Sequence, residues 1–98
     1  MTYRFEAALW KYSGESAWYF ITLPFEVADE IDEVAASSKR GFGSVRVEAT
    51  IGSSTWRTSL FPDTKAKSFL LPVKKQVRLG ENLQPEVPVA VALRLVES

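Results

Sequence analysis

Between Ser44 and Phe61, two runs of alternating residues meet at Gly52-Ser53. A two-residue connection of this kind closes a β-hairpin through a type II′ turn, whose first central residue needs a positive φ that glycine adopts freely. The turn sets the register of 44–51 against 54–61. It places Ile51 opposite Ser54, Ala49 opposite Trp56, Val47 opposite Thr58 and Val45 opposite Leu60. One face then holds Val45, Val47, Ala49, Ile51, Trp56 and Leu60. The other pairs Glu48 with Arg57, an opposite-charge cross-strand pair worth roughly 0.2–1 kcal/mol. The apolar match and the charge match select the same register, and a slip of one residue would invert both. A lone hairpin is marginal in water, so the rest of the chain must cover this apolar face.

The flanking segments supply more strands. Residues 3–12 alternate and are rich in aromatics, and Ala17-Trp18-Tyr19-Phe20-Ile21-Thr22-Leu23 reads as a second strand. Ser13-Gly14-Glu15-Ser16 reads as the turn between them. A four-residue loop sets Trp10 opposite Tyr19 and Leu9 opposite Phe20, with both faces largely apolar. Such a strand is usually covered on both faces, here by a helix or by a partner. Pro24 suits the first turn of a helix over about 25–38. Val27, Ile31, Val34 and Ala35 form its apolar stripe, and Glu26, Asp29, Glu30, Asp32 and Glu33 its polar face. Lys39 and Arg40 suit the negative end of that helix, and Gly41 or Gly43 can stop it.

Pro62-Asp63 opens a loop, Ser68 to Val73 is a short apolar strand, and 74–79 is a short helical turn ending at Gly80. Residues 81–86 are loop. The last strand runs from Val87 to Val96, with Val87, Val89, Val91, Leu93 and Leu95 on one face and Pro88 near its start, where it is tolerated. The order β-β-α-β-β-β-(short α)-β, with this much apolar surface, predicts a mainly β fold. It is a small closed or partly closed barrel of about six strands with one α-helix and one short helical turn. Its 98 residues make one domain, 1–98, able to bury its own core without metals or disulfides.

Composition excludes several chemistries. Twelve basic residues balance twelve acidic ones, so no global field draws the chain to DNA or to an anionic membrane. Without cysteine there is no disulfide framework, iron–sulfur site or thiol nucleophile; without histidine a Ser–His–Asp triad is impossible. No cofactor is implied. No basic-then-apolar leader stands in Met1 to Glu6, and no run approaches the roughly 20 apolar residues that span a bilayer, so the expected setting is cytoplasmic.

Several segments together resemble a bacterial family, domain-of-unknown-function family 1905. These are Phe5-x-Ala7-x-Leu9, Phe20-Ile21-x-Leu23-Pro24-x-x-Val27-Ala28, and Val45-x-Val47-x-Ala49-x-Ile51-Gly52. Trp56-Arg57-Thr58-Ser59-Leu60-Phe61-Pro62 and Leu70-Leu71-x-Val73-Lys74-Lys75-x-Val77-Arg78 complete the set. Family members tend to carry Gly-Asp before the final strand; here Glu86 stands in the place of that Asp. The resemblance implies a double-split barrel, an architecture shared with antitoxin and transition-state-regulator DNA-binding domains. It implies no known activity.

Two residue groups are candidates for binding. Trp10, Tyr12, Trp18, Tyr19 and Trp56 could line a pocket for a sugar or planar ring, or stack bases, though strand aromatics more often serve the core. If the barrel closes, Trp18 and Trp56 come together with Arg57 as an anchoring cation. If Trp10 and Tyr19 lie outward together, they form a patch for a homodimer or protein partner. Lys65, Lys67, Lys74, Lys75 and Arg78 fall in one stretch without an acid, which suits phosphates of nucleic acid; a solvated edge protected by lysine is the plainer explanation. The carboxylates of the helix face could hold a cation, and a Ser–Lys dyad is open to Ser53, Ser54 and Ser59. Gly41-Phe42-Gly43-Ser44 precedes a strand and so reads as a turn, since the dinucleotide fingerprint requires strand then helix. The sequence therefore favours a small cytoplasmic binding or interaction domain for an unknown ligand or protein partner. A nucleic-acid-binding regulator working through 65–78 is the alternative, and a histidine-free, cysteine-free enzyme the second.

Overall fold

The computed structural model describes residues 1–14, 18–37 and 43–96. The strands are β1 (Thr2–Lys11), β2 (Tyr19–Thr22), β3 (Val45–Ile51), β4 (Ser54–Asp63), β5 (Ser68–Pro72) and β6 (Pro88–Leu95). Helix α1 (Phe25–Ser37) follows β2, and α2 (Lys75–Gly80) follows β5. All neighbouring strands are antiparallel, and they close a barrel in the order β1-β2-β5-β4-β3-β6.

Closure depends on the two ten-residue strands changing partner partway. β1 pairs with β6 from Thr2 to Ala8 and with β2 from Leu9 to Lys11. β4 pairs with β3 from Ser54 to Leu60 and with β5 from Phe61 to Asp63. Each long strand thus joins the two half-sheets, and closure leaves no open edge. The register then brings one fully buried aliphatic from every strand into the interior: Leu9, Ile21, Val47, Leu60, Leu71 and Leu93. Ile31 of α1 is buried with them.

The central hairpin has the register expected from Gly52-Ser53 at every pair. Gly52 takes φ +59, while Ser53 is not among the positive-φ residues, as a type II′ turn requires. A β-carbon on Gly52 would also collide with the Glu81 carboxylate. That carboxylate accepts hydrogen bonds from the hydroxyls of Ser54 (2.6 Å) and Ser53 (3.2 Å), which pins the turn against the residue following α2. Across the same hairpin Glu48 pairs with Arg57 at 3.7 Å and, from β6, with Arg94 at 3.0 Å.

Four expectations need correction. The first hairpin pairs Leu9 with Ile21 and Trp10 with Phe20, one residue away from the expected register, because the Tyr12 N–H bonds to the Trp18 carbonyl and the connection is five residues long. Pro62 and Asp63 belong to β4: pairing with β3 stops at Leu60, so the missing N–H of Pro62 leaves no gap on that side. On α1 the buried residues are Ala28 and Ile31, while Val34 is 46% exposed, so the contact face is rotated from the expected stripe. Val87 is 52% exposed and precedes β6; Glu86 before it takes φ +70 and donates its N–H to the Leu9 carbonyl, which turns the chain into the strand. Lys39, Arg40, Gly41 and Phe42, along with residues 15–17, lie outside the described residues.

Candidate functional site

The strand order β2-β5-β4 places three chain segments around one cleft of about 540 Å³. The start of β2 contributes Trp18 and Tyr19, β4 contributes Trp56, Arg57, Thr58 and Phe61, and the exit from β5 into α2 contributes Pro72, Val73, Lys74, Lys75 and Arg78. Trp18, Trp56 and Arg57, the residues singled out from the sequence, all line it. The volume falls within the roughly 300–1,000 Å³ of small-molecule sites.

Each wall has a local cause. Trp56 points inward from β4 opposite Ala49, is nearly buried, and so belongs to both the core and the cleft floor. Trp18 is 51% exposed and is backed by Phe20, whose ring stacks on it at 6.0 Å and 11°. The Val73 N–H bonds to the Tyr19 carbonyl at 3.0 Å, which continues the β2–β5 pairing to the mouth of the cleft. Buried Val77 anchors α2, so Arg78, one residue on, is held at the surface. Its guanidinium lies over the Tyr19 ring at 3.9 Å and its Nε donates to the Val73 carbonyl at 3.3 Å. A stacked, tethered arginine loses little freedom on binding an anion.

The basic stretch divides. Lys74, Lys75 and Arg78 reach the cleft, whereas Lys65 and Lys67 sit on the 64–67 turn between β4 and β5 and do not line it. That turn is organised by Asp63, whose carboxylate accepts the N–H groups of Lys65 (3.2 Å) and Ala66 (3.3 Å). The sequence groups Tyr19 with Trp18 and Trp56 as pocket-lining aromatics, but nothing in it connects Phe61 and the α2 cations with them. The spacing of Lys74, Lys75 and Arg78 on one helical turn was the available signal, but only the position of β5 between β2 and β4 turns it toward the aromatics.

The remaining candidates have other surroundings. Trp10 and Tyr19 are on opposite faces of the first hairpin, so the patch expected from that pair is not formed. Trp10 instead packs on Phe20 at 5.4 Å and donates its indole N–H to the Thr22 hydroxyl at 2.9 Å. The Ser53 and Ser54 hydroxyls donate to Glu81, a carboxylate and not a lysine. The carboxylates of α1 are exposed, and no cluster of metal-ligating groups occurs among the described residues. No carboxylate lines the cleft among the described residues. No helix there is long and apolar enough to cross a membrane.

The profile of the family described as Domain of unknown function (DUF1905) matches residues 5–93, nearly the whole chain. No curated protein matches it.

Proposed function

We propose a ligand-binding role for this chain, which belongs to the DUF1905 family. Its cleft takes a small organic molecule with a flat ring, and Trp18, Trp56 and Arg57 are the residues that contact it. The observation that carries this reading is the meeting of Trp18, Tyr19, Trp56 and Phe61 with cations around one 540 Å³ space. A cleft with an apolar lining and a few polar anchors is the usual form of a small-molecule site. Within this reading the protein is a single cytoplasmic domain, a setting that fits its cysteine-free composition. Binding along a nucleic-acid duplex fits less well, because Lys65 and Lys67 lie apart from the cations of the cleft.

The test is a ¹⁵N NMR titration with adenosine, indole and benzoate at millimolar concentration. At least one is expected to move the indole N–H signals of Trp18 and Trp56 and the Arg57 amide. Trp18→Ala should then weaken that binding about tenfold or more, since stacking on an aromatic is worth roughly 1–3 kcal/mol. The reading fails if none of the three shifts these signals, or if the shifts that occur map elsewhere on the barrel.

A further inference from the structure

We infer that the ligand of this cleft is a planar ring bearing a phosphate monoester, with Arg78 as the group that grips the phosphate. The inference rests on the cleft being the ligand site and adds the ligand's chemical class.

Charge carries the first step. Arg57, Lys74, Lys75 and Arg78 line the cleft, and no carboxylate does so among the described residues. Among the described residues, only Arg57 of these has an acidic partner, Glu48, at a loose 3.7 Å, and Glu48 is held more closely by Arg94 at 3.0 Å. Three cations therefore face one small space without a counter-ion among the described residues. Like charges gathered in this way repel one another, and an anion that enters relieves the repulsion. A carboxylate brings one negative charge, whereas a phosphate monoester brings about −1.5 to −2 and three strong acceptor oxygens at neutral pH.

Arg78 gives the second step. Its Nε is committed to the Val73 carbonyl and its plane lies on Tyr19, so its orientation is set before any ligand arrives. Among the described residues, neither Nη group has a partner. A fixed guanidinium fork matches two phosphate oxygens at once, which a lysine ammonium does not. Lys74 and Lys75, both exposed on the neighbouring turn, add charge without fixed geometry.

Trp18 gives the third. Its indole lines the cleft and lies nearly parallel to the Phe20 ring, at 6.0 Å between centroids, so the cleft is bordered by an aromatic surface supported by a neighbouring ring. An aromatic surface and a fixed arginine lining one cleft suit a ligand that carries both a ring and a dianion. Among the described residues the cleft supplies no carboxylate, and the chain has no histidine, so the assigned event is binding.

Three probes dissect the assignment: AMP carries ring and phosphate, adenosine the ring alone, and inorganic phosphate the anion alone. Affinities from NMR titration at 50 mM salt are expected to favour AMP over either fragment by about tenfold or more, with the ³¹P signal of AMP shifting on binding. Arg78→Lys keeps the charge but loses the fork and the stack, and should cut the AMP-over-adenosine preference about tenfold. Arg78→Gln should cut it at least as far. The dispersed β3–β4 amide signals report whether either variant is folded, and Arg78→Lys carries the test if Arg78→Gln is not. Equal affinities for AMP and adenosine, or a preference that survives Arg78→Lys, would overturn the phosphate assignment while leaving the cleft as a ring-binding site. No response at Trp18 or Trp56 to any probe would overturn both.

Discussion

Ile31 is the large helical side chain most deeply buried in a mostly strand-built core, and truncating it measures whether α1 is part of the barrel or an appended cover. Each of the six strands gives the interior one fully buried aliphatic, and Ile31 is the only α1 side chain buried to the same degree among the described residues. Ile31→Ala removes three carbons. At about 0.8 kcal/mol per buried methylene the transfer loss is about 2.4 kcal/mol. The cavity adds to this, because neighbours held by six paired strands cannot collapse freely, so the total should reach about 3–4 kcal/mol, within the range for such substitutions. For a chain of this size that lowers Tm by roughly 15–25 °C. Ile31→Val should cost about 0.5–1.5 kcal/mol. Urea unfolding followed by tryptophan fluorescence gives both values, and hydrogen exchange shows where the loss falls. Amides of 25–37 should exchange faster in Ile31→Ala, while those of β3 and β4 keep most of their protection. Among the described residues no α1 side chain lines the cleft, so binding to it should survive at temperatures where the variant is folded. A loss below about 1 kcal/mol would refute the reasoning: the helix would then lie on a barrel that is complete without it.

Two further outcomes follow from the turns. Glu86 takes φ +70, a conformation costing a non-glycine residue roughly 1–2 kcal/mol. Glu86→Gly should therefore stabilise the protein by about 0.5–1 kcal/mol after the entropy of glycine is subtracted; a loss in chemical denaturation would show that the Glu86 side chain outweighs its backbone. The Glu81 carboxyl is held below its ordinary value of 4.5, chiefly by the Ser54 hydroxyl; desolvation opposes this, and hydrogen bonds from Ser53 add to the lowering. A depressed folded-state pKa stabilises above the unfolded value and loses that contribution as pH falls through the folded one. Ser54→Ala should therefore flatten the decline of stability below about pH 4.5, and identical acid unfolding curves for the two proteins would contradict this.

What the sequence reveals depends on how local the signal is. The Gly52-Ser53 hairpin could be read pair by pair, because a two-residue turn and two alternating strands leave a single register that buries one face. The first hairpin could not. Ser13-Gly14-Glu15-Ser16 resembles a four-residue loop, and nothing nearby marks the fifth residue that moves Trp10 from Tyr19 to Phe20. Because both faces of those strands are apolar, the pattern does not penalise the slip. The partner change of β4 at Phe61 leaves no local mark either, so Pro62-Asp63 resembles the start of a loop. Trp18, Trp56 and Arg57 could be grouped from sequence only on the condition that the barrel closes. The α2 cations joined them through the position of β5, a non-local fact.

The neutral total charge also conceals a separation that bears on what the cleft can hold. Five carboxylates stand exposed on α1, at Glu26, Asp29, Glu30, Asp32 and Glu33, while four cations surround the cleft. At physiological salt the Debye length is about 8 Å, so an anion inside the cleft feels the cations that line it more than acids that do not. A long polyanion crossing the surface samples both signs and gains little net attraction. Charge arranged in this way favours a compact anion over an extended one. It also makes Arg78 and Trp18 better probes than Trp56, whose ring is shared with the core and whose loss would change folding and binding together.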